Sequence, residues 1–473
     1  MKRMIKILFT VLCMLALLVP SVGTLIFGHS SPVGNESVAL RPSVTSSDGT
    51  LNVAYISDLG AYFEKRFAFR PEAITTDSTV LAKLFQTSSV DTVAVGKDGW
   101  MYYTDSLNDY AGRYPLSERE LGLAARNLKI IQDYCEEQGI GFLFTTAPNK
   151  NTLYGTHMPY YADYMVSDRH NRDGIKAQLE KYGVHYSDLF TVFRNEKEVL
   201  YFQQDSHWNN KGALLAYDTI LTDLGHPHDD YADAAVSRKK NHVGDLSAML
   251  YPASSEPEFD YDYGQNGRFS YVTNTRSVED ATIITHCDEA EGSLYMYRDS
   301  FGNALLPFMA GAYADALFTK AFNKDIAMDL GKASPDVFIM ELVERNLDWL
   351  ITMPPLVRAK ELSDITINSR QDQTVEISAT TAQGANRFLE VRGTFEDPDR
   401  ARGDEILIQV TDASGKVRFY QCYGMQAEAD SEGFLAYLPA EDYAGAQKLS
   451  VSLVIGDETV GFTEIGTEEI NVE

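Results

Sequence analysis

A capped helical stretch followed at once by an unbroken apolar run, repeated from residue 117 to about residue 350, limits this chain to one class of architecture. Ser117 stands where a helix N-cap belongs, and Glu120, three residues on, completes a capping box. Leu121, Ala124, Ala125, Leu128, Ile131 and Cys135 follow at helical spacing, and Gly139 ends the run. Residues 140–146 then read as a buried strand, and APNKN (147–151) as the loop at its carboxyl end. The same alternation recurs. Helix 174–182 precedes strand 184–188, and strand 200–202 precedes helix 210–224. Strand 293–297 runs into a helix from Phe301, and strand 337–341 into another from Arg345. Such alternation predicts an α/β domain with a mainly parallel sheet, whose sites lie beyond the carboxyl ends of the strands.

After about residue 362 the period changes to two. Segments 374–379, 388–395, 405–411, 416–423 and 449–455 alternate apolar and polar residues, and Asp412-Ala413-Ser414-Gly415 is a hairpin turn. This predicts a small all-β sandwich as a second domain, 362–473, behind an α/β domain spanning 53–361. Phe419, Tyr420 and Tyr423 lie on one of its strands and read as core. At the other end, 53–110 reads as short apolar patches with turns, among them Lys97-Asp98-Gly99 between two β-rich pieces. The Ser-, Gly-, Pro- and Asn-rich stretch 29–52 reads as a linker.

Lys2, Arg3 and Lys6 precede an apolar run over 7–19, and Leu25, Ile26 and Phe27 continue it. Residues 1–28 are therefore a signal peptide or an uncleaved membrane anchor, with the basic side cytoplasmic and the body exported. Ser21 and Gly23 would suit a cleavage site; the span 7–27 would suit an anchor. The chain carries 41 Lys and Arg against 68 Asp and Glu, a net charge of −27. That excludes nonspecific binding to nucleic acid or to anionic lipid, and leaves membrane contact to the N-terminal segment. Four cysteines with no CxxC pair exclude a disulfide scaffold and an all-cysteine zinc site, and Cys135 and Cys287 read as structural.

Two constellations carry chemistry. In Asp205-Ser206-His207-Trp208-Asn209, between a strand and a helix that Asn209 can cap, an extended backbone would turn Asp205 and His207 to one side. A carboxylate there would fix the tautomer of a general-base imidazole. A surface loop and a metal site are the other readings, though no HExxH supports the latter. His226 and His228 read as a solvated turn. In Tyr297-Arg298-Asp299-Ser300-Phe301-Gly302, a serine lies at a strand-to-helix turn, where it is either a nucleophile or a helix cap. Together the two sites offer nucleophile, base and orienter.

At these residues the chain resembles a known family. D-S-H-W-N, preceded by FEKRFAFR (63–70) and VGKDGWMYY (95–103) and followed by YRDSFGN (297–303) and PDVFIMELVERNL (335–347), is similar to the DHHW-type proteins. These belong with the alginate O-acetyltransferase-like group of SGNH hydrolases. The resemblance implies an SGNH-like α/β/α fold and O-acetylation of an exported polysaccharide or cell-wall glycan. It implies Ser300 as nucleophile, His207 as base and Asp205 as its partner, with no cofactor or metal. It also implies a membrane-bound O-acyltransferase that delivers acetyl. Ser206 replaces the second histidine of the motif and is expected to face away. Arg298, Asn149, Lys150 and Trp208 are candidate substrate or oxyanion contacts, while Glu341 and Arg345, four apart, read as a helix ion pair. With water as acceptor the same residues would make an esterase. The remaining alternative is a noncatalytic scaffold that binds polysaccharide through its β domain.

Overall fold

The computed structural model describes residues 2–471 apart from 35, 37–38, 47–48, 161–164, 323–324, 383–384, 386, 397–402, 404, 427–430, 445, 447 and 458–460. Parts of the expected linker 29–52 therefore lie outside the described residues.

The apolar N-terminal segment is one helix, Lys2–Phe27, long and apolar enough to cross a membrane. Its last turn meets the body: Thr24 Oγ1 accepts the Ala68 N–H at 2.9 Å, and the Phe27 and Phe69 rings touch edge-on. The stretch expected to be patches and turns begins with two helices, Tyr55–Arg66 and Arg70–Phe85, the second opened by Pro71. Short apolar patches at helical spacing hide these helices from a period-two reading. The hairpin that follows is as expected, with β1 (Val93–Val95) antiparallel to β2 (Met101–Tyr103) across the Lys97–Gly99 turn.

A seven-stranded sheet organises the body. It comprises β3 (Gly141–Ala147), β4 (Tyr186–Ser187), β7 (Ser270–Tyr271), β8 (Thr282–His286), β9 (Ser293–Tyr297), β10 (Asp315–Thr319) and β11 (Val337–Val343). A separate hairpin, β5 (Ser237–His242) with β6 (Glu258–Asp262), lies between β4 and β7 in the chain. The sheet order is β4-β3-β11-β9-β10-β8-β7, parallel from β4 to β10 and antiparallel over the last two strands. The central strands are apolar on both faces because each face is covered by helices. Phe142, Phe144, Tyr295, Tyr297, Phe338 and Met340 pack with helices Glu118–Glu137 and Asn171–Tyr182. Their strand neighbours Leu143, Leu294, Met296 and Ile339 pack with helices Asn210–Leu224 and Gly302–Ala312. The parallel strands end at one edge, so the segments leaving β3, β9 and β11 deliver Asn149, Ser300 and Arg345 to the same rim.

Two antiparallel-rich sheets of six and four strands follow, built from residues 361–471. Their inner faces share one core, with Ile377, Val391 and Phe434 against Ile406, Val451 and Leu453. The stretch 416–423 is not one strand. It breaks at Cys422, so Val417–Gln421 joins the six-stranded sheet and Tyr423–Gln426 the four-stranded one. The sandwich core runs on into helix Glu118–Glu137, where buried Asn127 donates to Leu350 O and Gly424 O at 2.7 Å each and accepts from Gly424 N at 2.9 Å.

Candidate active site

Ser300 is placed by a turn with little freedom. After β9 the Arg298 N–H bonds Thr319 O. The Asp299 carboxylate then accepts from Phe301 N at 2.8 Å and from Val343 N at 2.7 Å, tying the turn to β11. Glu341, buried beneath, accepts the Asp299 N–H; burial and then the Asp299 charge push its pKa well up. At Gly302 a Cβ would lie 2.5 Å from Arg298 Cβ, so the first helical residue has no room for a side chain. Ser300 does not cap the helix that follows. Its Oγ lies 2.8 Å from His207 Nε2.

The DSHW segment reaches that serine by a route other than the one expected. Residues 200–202 form no strand, only an isolated bridge between Tyr201 and Trp208. The segment is a tight turn, in which Asp205 Oδ1 accepts both the backbone N–H of His207 at 2.8 Å and its Nδ1 at 2.7 Å. The Asp205–His207 pairing thus comes from an Asx-type turn and not from extended alternation. Ser206 does not face away. Its Oγ donates to Asp245 Oδ2 at 2.6 Å and lies 3.2 Å from His207 Nδ1.

Asp205 is buried between two imidazoles. His242 Nε2 lies 2.8 Å from Oδ2, its ring stacked on Phe202, and Asp245 N donates to the same oxygen at 3.0 Å. Burial alone would raise this carboxyl, but the charges and hydrogen bonds of His207 and His242 hold it well below the usual range. For His207, burial works against the imidazolium, Asp205 outweighs it, and the pKa lies above the usual value. Asp245 is shifted up, by burial first and by Asp205 second. Asp205, His207 and Asp245 could in principle share a cation. Their ligand atoms lie within 4.8 Å of one another and are engaged with one another, with Ser206, with His242 and with Ser300. His242 and Asp245 escape sequence reasoning because nothing local links them to Asp205.

The secondary candidates act as braces. Lys150 is buried under the Trp100 and Tyr102 rings, and its ammonium donates to Met101 O, Gln203 O and Asp205 O at 2.7, 2.7 and 2.8 Å. Burial pushes it down to about 7, against the pull of Asp205, Glu258 and Asp245. It holds the Asp205 loop and has no donor for an oxyanion. Asn149 is turned away as well, its N–H on Glu344 and its amide on Asp109. Arg298 is neither a surface ion pair nor a contact of Ser300: it is fully buried, donating to Asn303 Oδ1 at 2.5 Å and Val278 O at 2.6 Å. Trp208 is fully buried and donates from Nε1 to Phe301 O at 3.0 Å, locking the two constellations together. Glu341 and Arg345 form no helix pair, because β11 runs through Glu341 to Val343.

Ser300, His207 and Asp205 line a cavity of about 850 Å³ with His242, Asp245, Asn303 and Arg345. Ser300 and Arg345 also line a smaller adjoining space of about 350 Å³ with Asp299 and Lys320. His226 and His228 lie elsewhere and are not a solvated turn. They are partly buried, bonded to Ala312 O and Asp218, and line a cavity of about 750 Å³ that includes Gly141 and Val337, the amino ends of β3 and β11. The four cysteines are free thiols.

Residues 93–283 match the family described as the SGNH hydrolase-like domain of the acetyltransferase AlgX. The match contains Asp205 and His207, and Ser300 lies beyond its end. No curated protein matches the chain in sequence. Among solved structures, the chain is similar to Bacillus cereus PatB1, at 18% identity over 53% of this chain and 95% of that one, with a TM-score of 0.43. It is similar to a DHHW family protein from Eubacterium siraeum at 15% identity over 54% and 91% of the two chains, TM-score 0.40. It is similar to the O-acetyltransferase domain of Pseudomonas putida AlgJ at 16% identity over 54% and 91%, TM-score 0.36. Residues 93–283 of this chain are thus similar to an SGNH hydrolase-like domain of the AlgX acetyltransferase type.

Proposed function

We propose that the protein is an extracytoplasmic serine O-acetyltransferase acting on a polysaccharide or cell-wall glycan. The observation that carries this reading is the unbroken path from Asp205 through His207 to Ser300, with contacts of 2.7 and 2.8 Å, at the wall of an 850 Å³ cavity. Asp205 fixes the imidazole with Nδ1 protonated and Nε2 facing the serine. His207 takes the Ser300 proton, Oγ takes an acetyl group as an acyl-enzyme, and a sugar hydroxyl, deprotonated in turn by His207, accepts it. Water in place of the sugar gives an esterase, so the pocket's exclusion of water decides the outcome. The sandwich at 362–473 serves as a second domain, docked or binding glycan.

Helix Lys2–Phe27 supports delivery of the body to the outer face of a membrane, with Lys2, Arg3 and Lys6 inside. Acetyl donors are made inside the cell, so a membrane-bound O-acyltransferase partner fits this location.

The test is intact mass after incubation with p-nitrophenyl acetate and, separately, with a sulfonyl fluoride. One adduct on the wild type, lost in Ser300→Ala and slowed in His207→Ala, is expected. Labelling that persists in Ser300→Ala refutes the assignment. Addition of acetylatable glycans to the acyl-enzyme then separates transfer from hydrolysis.

A further inference from the structure

We infer that Arg345 is a catalytic residue of this site: its guanidinium and the backbone N–H of Ser300 together hold the oxyanion formed when Ser300 attacks an acetyl ester or thioester. This deepens the serine-nucleophile reading above and rests on it.

Attack by Ser300 needs donors aimed at the acyl oxygen, since the negative charge developing there dominates the barrier. The side chains that the motifs suggest for the task are already committed. Lys150 gives its ammonium to three carbonyl oxygens. Asn149 gives its amide to Asp109, and Arg298 reaches Asn303 and Val278 from beneath the turn. The Asn303 amide, which does face the cavity, donates to Glu279 at 2.5 Å.

Arg345 is different. It follows β11, the strand paired with β9, so it enters the same rim that presents Ser300. It lines both spaces that meet at the serine. Its guanidinium lies 5.2 Å from the Tyr103 ring centroid and 5.8 Å from that of Phe301, the residue next to the nucleophile. Besides these two ring contacts it has, among the described residues, no hydrogen-bond acceptor and no ion pair. In a chain with 68 acids and 41 bases, a half-buried arginine left unpaired at the nucleophile is a vacancy for an anion. The two rings hold the planar group without using its N–H donors, which stay available to a ligand. The backbone N–H of Ser300, at the entry to helix Gly302–Ala312, is likewise without a partner among the described residues.

The step balances as follows. His207 Nε2 takes the proton from Ser300 Oγ as Oγ bonds the acyl carbon. The carbonyl π pair moves to the acyl oxygen, which Arg345 and Ser300 N–H hold. Collapse restores the carbonyl, breaks the bond to the donor's oxygen or sulfur, and the leaving group takes the proton from His207. The Arg345 charge opposes the imidazolium in the resting site. An oxyanion between the two cations relieves that opposition when the transition state forms.

The experiment uses the full chain in detergent with p-nitrophenyl acetate, comparing the wild type with Arg345→Met, Arg345→Lys and Ser300→Ala. The rate of sulfonyl-fluoride labelling of Ser300 is a second readout. Arg345→Met is expected to lower kcat by about 10²–10³-fold with KM nearly unchanged, and to slow labelling in parallel. Arg345→Lys, which keeps the charge but loses the fork, should recover part of the loss; it decides the matter if the methionine variant does not fold. A kcat within about threefold of the wild type in a folded variant overturns the proposal. So does a raised KM at constant kcat, which would make Arg345 a binding group for a substrate anion. If the wild type is labelled at a residue other than Ser300, the nucleophile reading itself falls, a failure distinct from that of Arg345.

Discussion

His242→Phe isolates what the second imidazole does to the first. Phenylalanine keeps the stack on Phe202, whose ring centroid lies 3.8 Å from that of His242, and removes only the N–H. Asp205 then keeps three of its four donors: His207 N, His207 Nδ1 and Asp245 N. The lost donor sat on Oδ2 at 2.8 Å, and a hydrogen bond to a charged group contributes about 1.5–3 kcal/mol. With it gone, carboxylate charge shifts toward His207 and stabilises its imidazolium. If about half of that energy is transferred, the His207 pKa rises by about 0.5–1 unit, since one unit is about 1.4 kcal/mol. In the proposed mechanism His207 must be neutral to take the serine proton, and its pKa is already raised: burial opposes the imidazolium, and Asp205 outweighs burial. Activity therefore falls as pH drops through that raised value, and His242→Phe should move this acid limb up by about 0.5–1 pH unit. The measurement is kcat/KM for p-nitrophenyl acetate against pH. Activity several-fold down on the acid side of the limb but nearly intact on the alkaline plateau is expected. A limb that stays put or moves down would show that His242 does not share the Asp205 charge, and the reasoning fails. Stability should follow by linkage. The His242 pKa is raised by Asp205 against the effect of burial, so its contribution is full below the ordinary histidine value and is lost as pH rises through the folded one. The variant should accordingly lose less stability than the wild type as pH rises from below the ordinary histidine value through the raised one.

Gly244→Ala tests the packing of the Asp205 loop: the new Cβ would lie 2.2 Å from Gln204 O and 2.5 Å from its carbon, so the two loops must separate. Loss of kcat/KM by at least about tenfold, with about 1–3 kcal/mol lost in chemical denaturation, is the expected result; unchanged kinetics would contradict the contact. Asn127→Leu orphans the N–H and carbonyl of Gly424 and the carbonyl of Leu350 in a buried seam, at about 1–3 kcal/mol each. Thermal unfolding should shift down by several degrees, and a shift below about 2 °C would rule out this seam as a main tie between the sandwich and the helix layer. Chelators should leave turnover unchanged, because the Asp205, His207 and Asp245 donors are engaged with protein partners.

What could be read from the sequence follows from how local its causes are. Helix Glu118–Glu137 was legible because its cap, its spacing and its terminating glycine all lie within one stretch, and the capping box is formed. The parallel sheet was legible because its central strands are apolar on both faces. Asp205, His207 and Ser300 were singled out as residues, but the geometry assumed for the first pair was wrong. Alternation along a strand and an Asx turn both bring residues i and i+2 together, and only the structure separates them. Glu341 and Arg345 failed for the matching reason. Spacing of four makes neighbours only on a helix, whereas β11 buries Glu341 and carries Arg345 past its end. His242 and Asp245 had no local sign at all: they lie 37 and 40 positions from Asp205 and meet it from the end of β5 and the helix start just after it.

The residues nearest the motifs in sequence and those that complete the site turn out to divide the work. Lys150, Trp208 and Arg298 sit inside or beside the conspicuous motifs, yet each is buried and hydrogen-bonded to backbone or to Asn303. They fix the loops that bear Asp205 and Ser300. His242, Asp245 and Arg345 arrive from separate elements and meet the reacting groups directly or across the shared cavity. A nucleophile and its base must be held to within a fraction of an ångström, and short-range bracing by sequence neighbours does this at little entropic cost. Groups that tune charge need only be close in space, so they can come from distant parts of the chain. A substitution in the first set should therefore disturb stability and activity together. A substitution in the second should change pH dependence or kcat while the fold holds, and that contrast separates bracing from chemistry in this site.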